Sequence, residues 1–126
     1  MSKFTKEQEK VINHTDGSIM VTASAGSGKT RVMVERFIKL VTEGKARVRE
    51  VLAVTFTRLA AGELKERLKK ALYEKIREGG ENAERLKEEI DDLPVADIST
   101  IDSFCSNVVR RYFYIAGVSP SFKVLD

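Results

Sequence analysis

Short apolar runs alternate with longer segments of helical length along this chain of 126 residues. The apolar runs have the length of buried strands, which predicts strands at 18–23, 49–55 and 95–99. The longer segments predict helices at 5–13, 29–42, 58–78, 81–92 and 101–114. Strands that alternate with helices imply right-handed crossovers and a parallel sheet covered by helices on both sides. The predicted fold class is therefore α/β, and a sheet with so few core strands is expected to be an incomplete domain.

Local signals predict the ends and faces of several elements. Thr5 is placed to cap the first helix, and Gln8 completes a variant capping box with it. Gly44 is expected to close the second helix. The charged segment 81–92 predicts an exposed helix, and the tail at 122–125 predicts a short strand. The apolar residues of the second helix fall largely on one face and are candidates for the core: Val32, Phe37, Ile38 and Val41.

The strongest chemical signal lies between the first predicted strand and the second helix. Residues 23–30, ASAGSGKT, follow the phosphate-loop pattern G-x-x-x-x-G-K-[ST] with alanine at the first glycine position. Gly26 and Gly28 permit backbone conformations in which successive N–H groups surround a phosphate at the positive end of a helix. Lys29 supplies a positive charge to the β- and γ-phosphates, and Thr30 supplies a hydroxyl ligand for Mg²⁺. The pattern therefore predicts a site for Mg·ATP.

Charge and composition narrow the class of protein only slightly. The 22 lysines and arginines exceed the 19 acidic residues, and a net charge of +3 is compatible with a nucleic-acid partner. One cysteine excludes an intramolecular disulfide, and together with one histidine it excludes a His/Cys metal site. The charged first residues are unlike a signal peptide, and no apolar run approaches the roughly 20 residues of a membrane span. We expect a cytoplasmic protein with no membrane partner.

Four segments of the chain form an ordered set: FTKEQEKVI (4–12), TASAGSGKTRVMVERF (22–37), VLAVTFTRLAAGELKERL (51–68) and ISTIDSFCSNVVRRY (98–112). In this order they resemble the adenine-recognition motif and motifs I, Ia and Ib of the UvrD/Rep-type helicases of superfamily 1. Within that group the chain looks most like the AddA- and RecB-type helicase-nucleases, in which alanine at the first glycine position is usual. The resemblance implies a P-loop NTPase (RecA-like) three-layer domain of an ATP-dependent DNA helicase that acts in repair or recombination.

The resemblance implies nucleotide-binding roles in the first two segments. Gln8 would hydrogen-bond the adenine edge and favour ATP over GTP, because an amide offers a donor and an acceptor together; the alternative is an exposed helix glutamine. Arg31 would lie beside the nucleotide, or else be an ordinary surface arginine. Lys29 and Thr30 would also act in catalysis, and Thr30 would bind Mg²⁺. The other cofactor-binding positions are Ala23, Ser24, Ala25, Gly26, Ser27 and Gly28.

The resemblance also implies that single-stranded DNA contacts the ends of the second and third strands. The implied residues are Thr55, Phe56, Thr57, Arg58, Ser103 and Phe104. Loops that follow neighbouring parallel strands emerge at one edge, so these two segments can share a groove near the phosphate loop. Phe56 would stack on a base and the threonine hydroxyls would bond phosphate; the alternatives are that Phe56 is core and that Ser103 and Phe104 cap and pack a helix. With few cations nearby beyond Arg58, we expect a shallow salt dependence.

Three positions depart from the family pattern. Asp102 stands where histidine is usual, and because a carboxylate repels phosphate it puts a DNA contact there in doubt. Asp102 would instead cap the helix that starts nearby. Arg58 and Gly62 stand where asparagine and alanine are frequent. Gly62 should weaken its helix by up to about 1 kcal/mol relative to alanine.

The hydrolytic half of a motor is the part that the sequence does not supply. ATP hydrolysis requires an acidic pair at the end of an apolar strand, and neither Asp91-Asp92 nor the segment 122–126 fits that requirement. We therefore expect residues 1–126 to be the N-terminal portion of the ATP-binding domain, without a second domain, and inactive alone because it also lacks an arginine finger. Its expected partners are single-stranded DNA, the second motor domain of the helicase chain and a nuclease subunit.

Two other functions stay open at this point. The same loop occurs in small-molecule phosphotransferases, although such an enzyme would need lid arginines and an acceptor pocket that the sequence does not reveal. A non-enzymatic module could also bind nucleotide as a structural or regulatory ligand. Binding of single-stranded DNA would separate the helicase from the phosphotransferase.

Overall fold

The computed structural model describes residues 3–26 and 28–125, so that Ser27 of the predicted loop lies outside the described residues. Its helices are α1 (Lys6–Asn13), α2 (Lys29–Thr42), α3 (Arg58–Glu78), α4 (Ala83–Asp92), α5 (Ile101–Arg111) and α6 (Phe113–Ala116). Its strands are β1 (Ala53–Thr55) and β2 (Ile98–Thr100), and short 3-10 turns span Val48–Glu50 and Leu93–Val95. In this part of the chain every helix is too short or too polar to cross a membrane.

The two strands pair in parallel, which confirms that part of the α/β prediction. Ala53 lies opposite Ile98, and Thr55 lies opposite Thr100. The chain crosses from β1 to β2 through α3 and α4, and the face that carries Ala53 and Ile98 belongs to the core. On the opposite face Val54 stays 44% exposed. Helices therefore cover one face of the sheet in the described residues, where the sequence predicted cover on both.

The predicted first strand, at 18–23, is the largest departure from expectation. These residues form neither helix nor strand, and Met20 is 92% exposed. The reason is the lack of a neighbour: the sheet of the described residues contains β1 and β2, which pair with each other. An extended apolar segment becomes a strand only where another strand satisfies its backbone groups.

The last third of the chain also differs from the predicted boundaries. Pro94 lies within the turn Leu93–Val95, which delays the strand predicted at 95–99 to β2. The helix predicted at 101–114 ends at Arg111, because Tyr112 has φ −114° and ψ 32° and separates α5 from α6. The segment 122–125, predicted as a strand, has no regular structure.

The core confirms the predicted face of α2 and corrects the prediction for α4. All four apolar candidates in α2 are buried, and they pack with Leu64, Leu68 and Leu72 of α3. Leu86 and Ile90 of α4 complete this cluster. The prediction that segment 81–92 is exposed was wrong, because two apolar residues four positions apart suffice to bury one face of a highly charged helix.

A buried carboxylate ties α4 to the turn before β1. Glu89 is 1% exposed, and its Oε2 accepts the backbone N–H of Val48 at 2.7 Å. Its Oε1 accepts a hydrogen bond from Nε of Arg47 at 3.3 Å. Next to this pair, Arg49 donates two bonds to the carboxylate of Asp92, at 2.6 and 3.0 Å. We refer to Arg47, Arg49, Glu89 and Asp92 as the ion-pair cluster.

The ion-pair cluster predicts a pH-dependent contribution to stability from Asp92. The Arg49 guanidinium lowers the pKa of the Asp92 carboxyl below its ordinary value of 3.8. A lowered folded-state pKa stabilises the fold above that ordinary value, and the contribution is lost as the pH falls through the folded pKa. We expect Asp92→Asn to be less stable than wild type at about pH 7, and the difference to shrink below about pH 3.8.

Urea unfolding followed by circular dichroism across this pH range measures the difference. Asp91→Asn is the matched control, since it removes the same charge from the adjacent exposed residue and should stay within about 0.5 kcal/mol of wild type. A difference between Asp92→Asn and wild type that is constant from neutral to acid pH would contradict the assignment.

Arginine side chains from other helices bond the carbonyls at the ends of α1 and α2. Nη1 of Arg36 donates to the carbonyl of Val11 at 2.7 Å, which joins α1 to α2. Arg85 of α4 donates to the carbonyls of Val41 and Thr42, at 2.8 and 2.9 Å. The last carbonyls of a helix have no partner within the helix, so these bonds satisfy groups that would otherwise need water. The helix that starts at the predicted loop is therefore held along its side and at its end.

Candidate nucleotide and nucleic-acid sites

The loop before α2 has the backbone geometry that its glycines predict. Gly26 has φ 78° and Gly28 has φ 84°, both in the left-handed region that favours glycine. Gly28 is the N-cap of α2, and among the described residues no side chain caps this helix and no acidic residue lies in its first turn. The N-terminal N–H groups and the positive end of the helix dipole therefore favour an anion here.

Lys29 brings its positive charge back across the loop. Its Nζ donates to the carbonyl of Ala23 at 3.1 Å, which joins the first and next-to-last positions of the predicted phosphate loop. Ser24, Ala25 and Thr30 are exposed or half-buried around it. The amino group thus lies at the mouth of the loop, where a phosphate held by the backbone would approach.

Gln8 lies beside the loop, as the adenine-recognition motif requires. A Cβ added to Gly28 would lie 3.5 Å from Nε2 of Gln8. The capping box predicted for α1 is present: the Gln8 N–H donates to Oγ1 of Thr5 at 3.2 Å, and Oε1 of Gln8 accepts the Thr5 N–H at 2.9 Å. This pair of bonds fixes the amide next to the loop, since a capping box restrains both side chains.

A cleft of about 570 Å³ opens between α1 and the loop. Ala23, Lys29 and Gln8 line it together with apolar side chains. Its further lining residues were not predicted: Thr5, Glu7, Val11, Ile19, Val21, Thr22, Val32, Met33 and Arg36. An apolar cleft with a few polar groups at one end is the usual form of a small-molecule site. The apolar residues of the segment 18–23 thus form a wall of this cleft instead of a strand.

Arg31 faces away from this cleft. Its guanidinium lies 4.6 Å from the ring centroid of Phe4, and its Nη2 donates to the carbonyl of Lys3 at 3.3 Å. The predicted position of Arg31 beside the nucleotide thus stays a prediction. Thr30 is a hydroxyl ligand without acidic neighbours, since no cluster of three or more His, Cys, Asp or Glu residues is placed to hold a metal ion in the described ranges.

A second cleft, here named the strand-end groove, lies at the carboxyl ends of β1 and β2 and has a volume of about 880 Å³. It brings together Phe56, Arg58 and Ser103, which confirms that the two predicted segments share one groove. Phe56 is fully exposed, which excludes the alternative that it is a core residue. The remaining lining residues are Thr100, Asp102, Cys105, Ser106, Asn107, Arg110, Phe122, Lys123 and Val124.

Other residues predicted to contact DNA have local roles in the structure. Oγ1 of Thr55 donates to the carbonyl of Thr57 at 2.9 Å, and Oγ1 of Thr57 accepts the N–H of Ala60 at 3.1 Å as the N-cap of α3. Phe104 is partly buried and does not line the groove. The threonine hydroxyls near Phe56 are therefore engaged in local bonds that shape the turn.

The capping role predicted for Asp102 was wrong. Thr100 is the N-cap of α5: its Oγ1 accepts the Ser103 N–H at 3.2 Å and donates to Oγ of Ser103 at 2.9 Å. A threonine in extended conformation two positions earlier satisfies the cap, so the aspartate falls in the first turn. Asp102 is exposed there and lines the strand-end groove, where its charge opposes a phosphate.

Helices on a parallel sheet, with a glycine loop at the start of a helix, define an α/β protein of the kind that binds anionic ligands at helix N-termini. Residues 4–126 match the family described as UvrD/REP helicase N-terminal domain. The chain belongs to this family.

Individual relatives agree with the family match. All of those compared are subunits of an ATP-dependent helicase/nuclease. The chain is 47% identical over 125 residues to the subunit from Lactobacillus acidophilus, and 47% identical to the subunit from Lactobacillus helveticus. It is 41% identical over 126 residues to the corresponding protein of Syntrophomonas wolfei. These matches cover 99 to 100% of the chain and 10% of each relative. The chain therefore spans about a tenth of the length of the curated relatives it matches.

Proposed function

We propose that this chain is the N-terminal portion of the ATP-binding domain of a DNA helicase, with Mg·ATP at the glycine loop and single-stranded DNA in the strand-end groove. The observation that carries the proposal is the meeting of Phe56, Arg58 and Ser103 at the carboxyl ends of parallel strands. Ligands of parallel α/β sheets collect at this edge. An exposed aromatic ring beside a cation suits an unpaired base and its phosphate.

The nucleotide half of the proposal rests on the loop and the cleft beside it. Backbone N–H groups at the start of α2 would hold the phosphates, and Lys29 would neutralise their charge. The cleft walls would receive the base, with Gln8 at its edge to distinguish adenine from guanine. Mg²⁺ would be held by the Thr30 hydroxyl, and phosphate oxygens and water would complete its octahedral shell. The predicted three-layer P-loop architecture is part of this proposal.

The names of the relatives support an extended version of the proposal. Each is named as one subunit of an ATP-dependent helicase/nuclease, so its name joins unwinding with nuclease activity and implies a partner. We infer that this chain works with a second motor domain that closes over ATP, and that a nuclease subunit belongs to the same assembly. Its action would then lie in DNA repair or recombination.

The DNA half of the proposal predicts that Phe56→Ala weakens binding of a short oligo-dT about fivefold or more, because stacking of one base on an aromatic ring contributes about 1–3 kcal/mol. Fluorescence anisotropy measures the affinity, and amide chemical-shift mapping locates the contact. Leu59→Ala is the matched control, since Leu59 is an exposed apolar residue nearby that does not line the groove. Shift changes confined to α1 or α4, with none near Phe56, would refute this placement.

A further inference from the structure

The strand-end groove extends beyond the residues that the family resemblance implies. It continues from Phe56 and Ser103 along α5 and reaches Arg110, Phe122 and Lys123. None of these last three residues belongs to the predicted DNA contacts. They were missed because residues 122–123 return to α5 only in the folded chain.

One face of α5 forms the floor of this extension. Ser103, Ser106, Asn107 and Arg110 recur at intervals of three and four and line the groove together. At 1.5 Å per residue, the distance from Ser103 to Arg110 along the helix is roughly 10 Å. The floor carries small hydroxyl and amide side chains and ends in a cation, so that it can follow a phosphodiester chain for more than one nucleotide.

The far end of the groove holds its cations ready for an anion. The guanidinium carbon of Arg110 lies 4.6 Å from the ring centroid of Phe122, which fixes the position of the charge. Within residues 3–26 and 28–125, neither Arg110 nor Lys123 makes an ion pair with an acidic side chain, in contrast to the cations of the ion-pair cluster. With Arg58, three cations face the groove, and among its described lining residues they are opposed by one carboxylate, that of Asp102.

We propose that Arg110, Phe122 and Lys123 form a second contact region for single-stranded DNA, in which Arg110 and Lys123 bind phosphates and Phe122 holds Arg110 in position. The inference rests on the proposed function, because the strand would run from a base stacked on Phe56 along α5 to this region. A single strand is the occupant, since a base can stack on Phe56 only when it is unpaired. The groove then carries more positive charge than the sequence indicated, and the expected shallow salt dependence is replaced by a steeper one.

The test measures binding of the chain to oligo-dT long enough to fill the groove, by anisotropy over a range of salt concentrations. Each phosphate contact with a cation adds about 0.7 to the slope of log K against log salt for single strands. Arg110→Gln should weaken binding about tenfold at low salt and reduce the slope by about 0.7. Phe122→Leu should weaken binding less, and Arg110→Lys should restore the slope, because the charge and not the fork geometry sets it.

The matched control is Arg111→Gln, which removes the same charge from the next residue of α5, outside the groove lining. It should leave both affinity and slope near those of wild type. If Phe56→Ala weakens binding while Arg110→Gln behaves like Arg111→Gln, the second contact region is refuted and the proposed function stands. If wild type binds no oligo-dT, or binds duplex DNA or RNA as tightly, the inference is overturned, and in the first case the DNA half of the proposed function falls with it.

Discussion

Replacing Lys29 by alanine is expected to weaken the binding of Mg·ATP to this chain by at least about tenfold. Its Nζ already lies at the mouth of the glycine loop, 3.1 Å from the carbonyl of Ala23. A hydrogen bond to a charged group contributes about 1.5–3 kcal/mol, and 1.4 kcal/mol corresponds to a tenfold change in affinity. Isothermal titration calorimetry measures the loss. Lys69→Ala removes an exposed lysine of α3 outside the cleft and should leave the affinity unchanged.

Comparison with Gln8→Ala makes this prediction sharper. Lys29 would contact phosphates, which ATP and GTP share, so its loss should weaken both nucleotides by the same factor. Gln8 would contact the base, so its loss should mainly reduce the preference for ATP over GTP. Competition between the two nucleotides measures the preference. Unchanged affinity of Lys29→Ala for either nucleotide would remove the glycine loop from the proposed site.

Glu89→Ala is expected to be the most destabilising single substitution outside the apolar core, by about 2–3 kcal/mol. The substitution removes the acceptor of the buried Val48 N–H and the partner of Arg47. A buried donor left without a partner loses its full desolvation energy, about 1–3 kcal/mol. Because Arg47 is half-exposed, water can replace its lost partner, which keeps the effect below that of a fully buried charge pair.

Urea unfolding at neutral pH measures this loss of stability. Glu89→Gln should be less harmful, because the amide oxygen can still accept the Val48 N–H. Glu88→Ala is the matched control: its carboxylate is 71% exposed and lies 4.0 Å from Arg47, and its loss should change stability by less than about 0.5 kcal/mol. Equal stabilities of Glu88→Ala and Glu89→Ala would show that the buried carboxylate does not tie α4 to the turn Val48–Glu50.

The parts of the fold that local chemistry determines could be predicted from the sequence. The capping box of Thr5 and Gln8 depends on residues three positions apart, and the buried face of α2 depends on one helical repeat. The left-handed glycines of the loop follow from the lack of a side chain. Such features need no knowledge of distant contacts, so the loop half of the nucleotide site was predictable.

The features that depend on distant neighbours were not predictable. The apolar segment 18–23 has the composition of a strand but no strand to pair with in the described residues, and it lines a cleft instead. The charge of α4 concealed that Leu86 and Ile90 complete the core. In the strand-end groove the motif residues could be named, whereas Arg110 and Lys123 meet them only because the chain after α6 returns to α5.

The bonds from Arg85 to the end of α2 also set an order of events during protein synthesis. The helix that begins at the glycine loop is complete at Thr42, but the side chain that bonds its last carbonyls lies 43 residues later in the chain. At a synthesis rate of about 5–20 residues per second, the ribosome adds that residue roughly 2–9 seconds later. Throughout this interval water must satisfy the carbonyls of Val41 and Thr42. The loop helix of the nascent chain thus acquires its final C-terminal support only after α3 and the start of α4 have been synthesised.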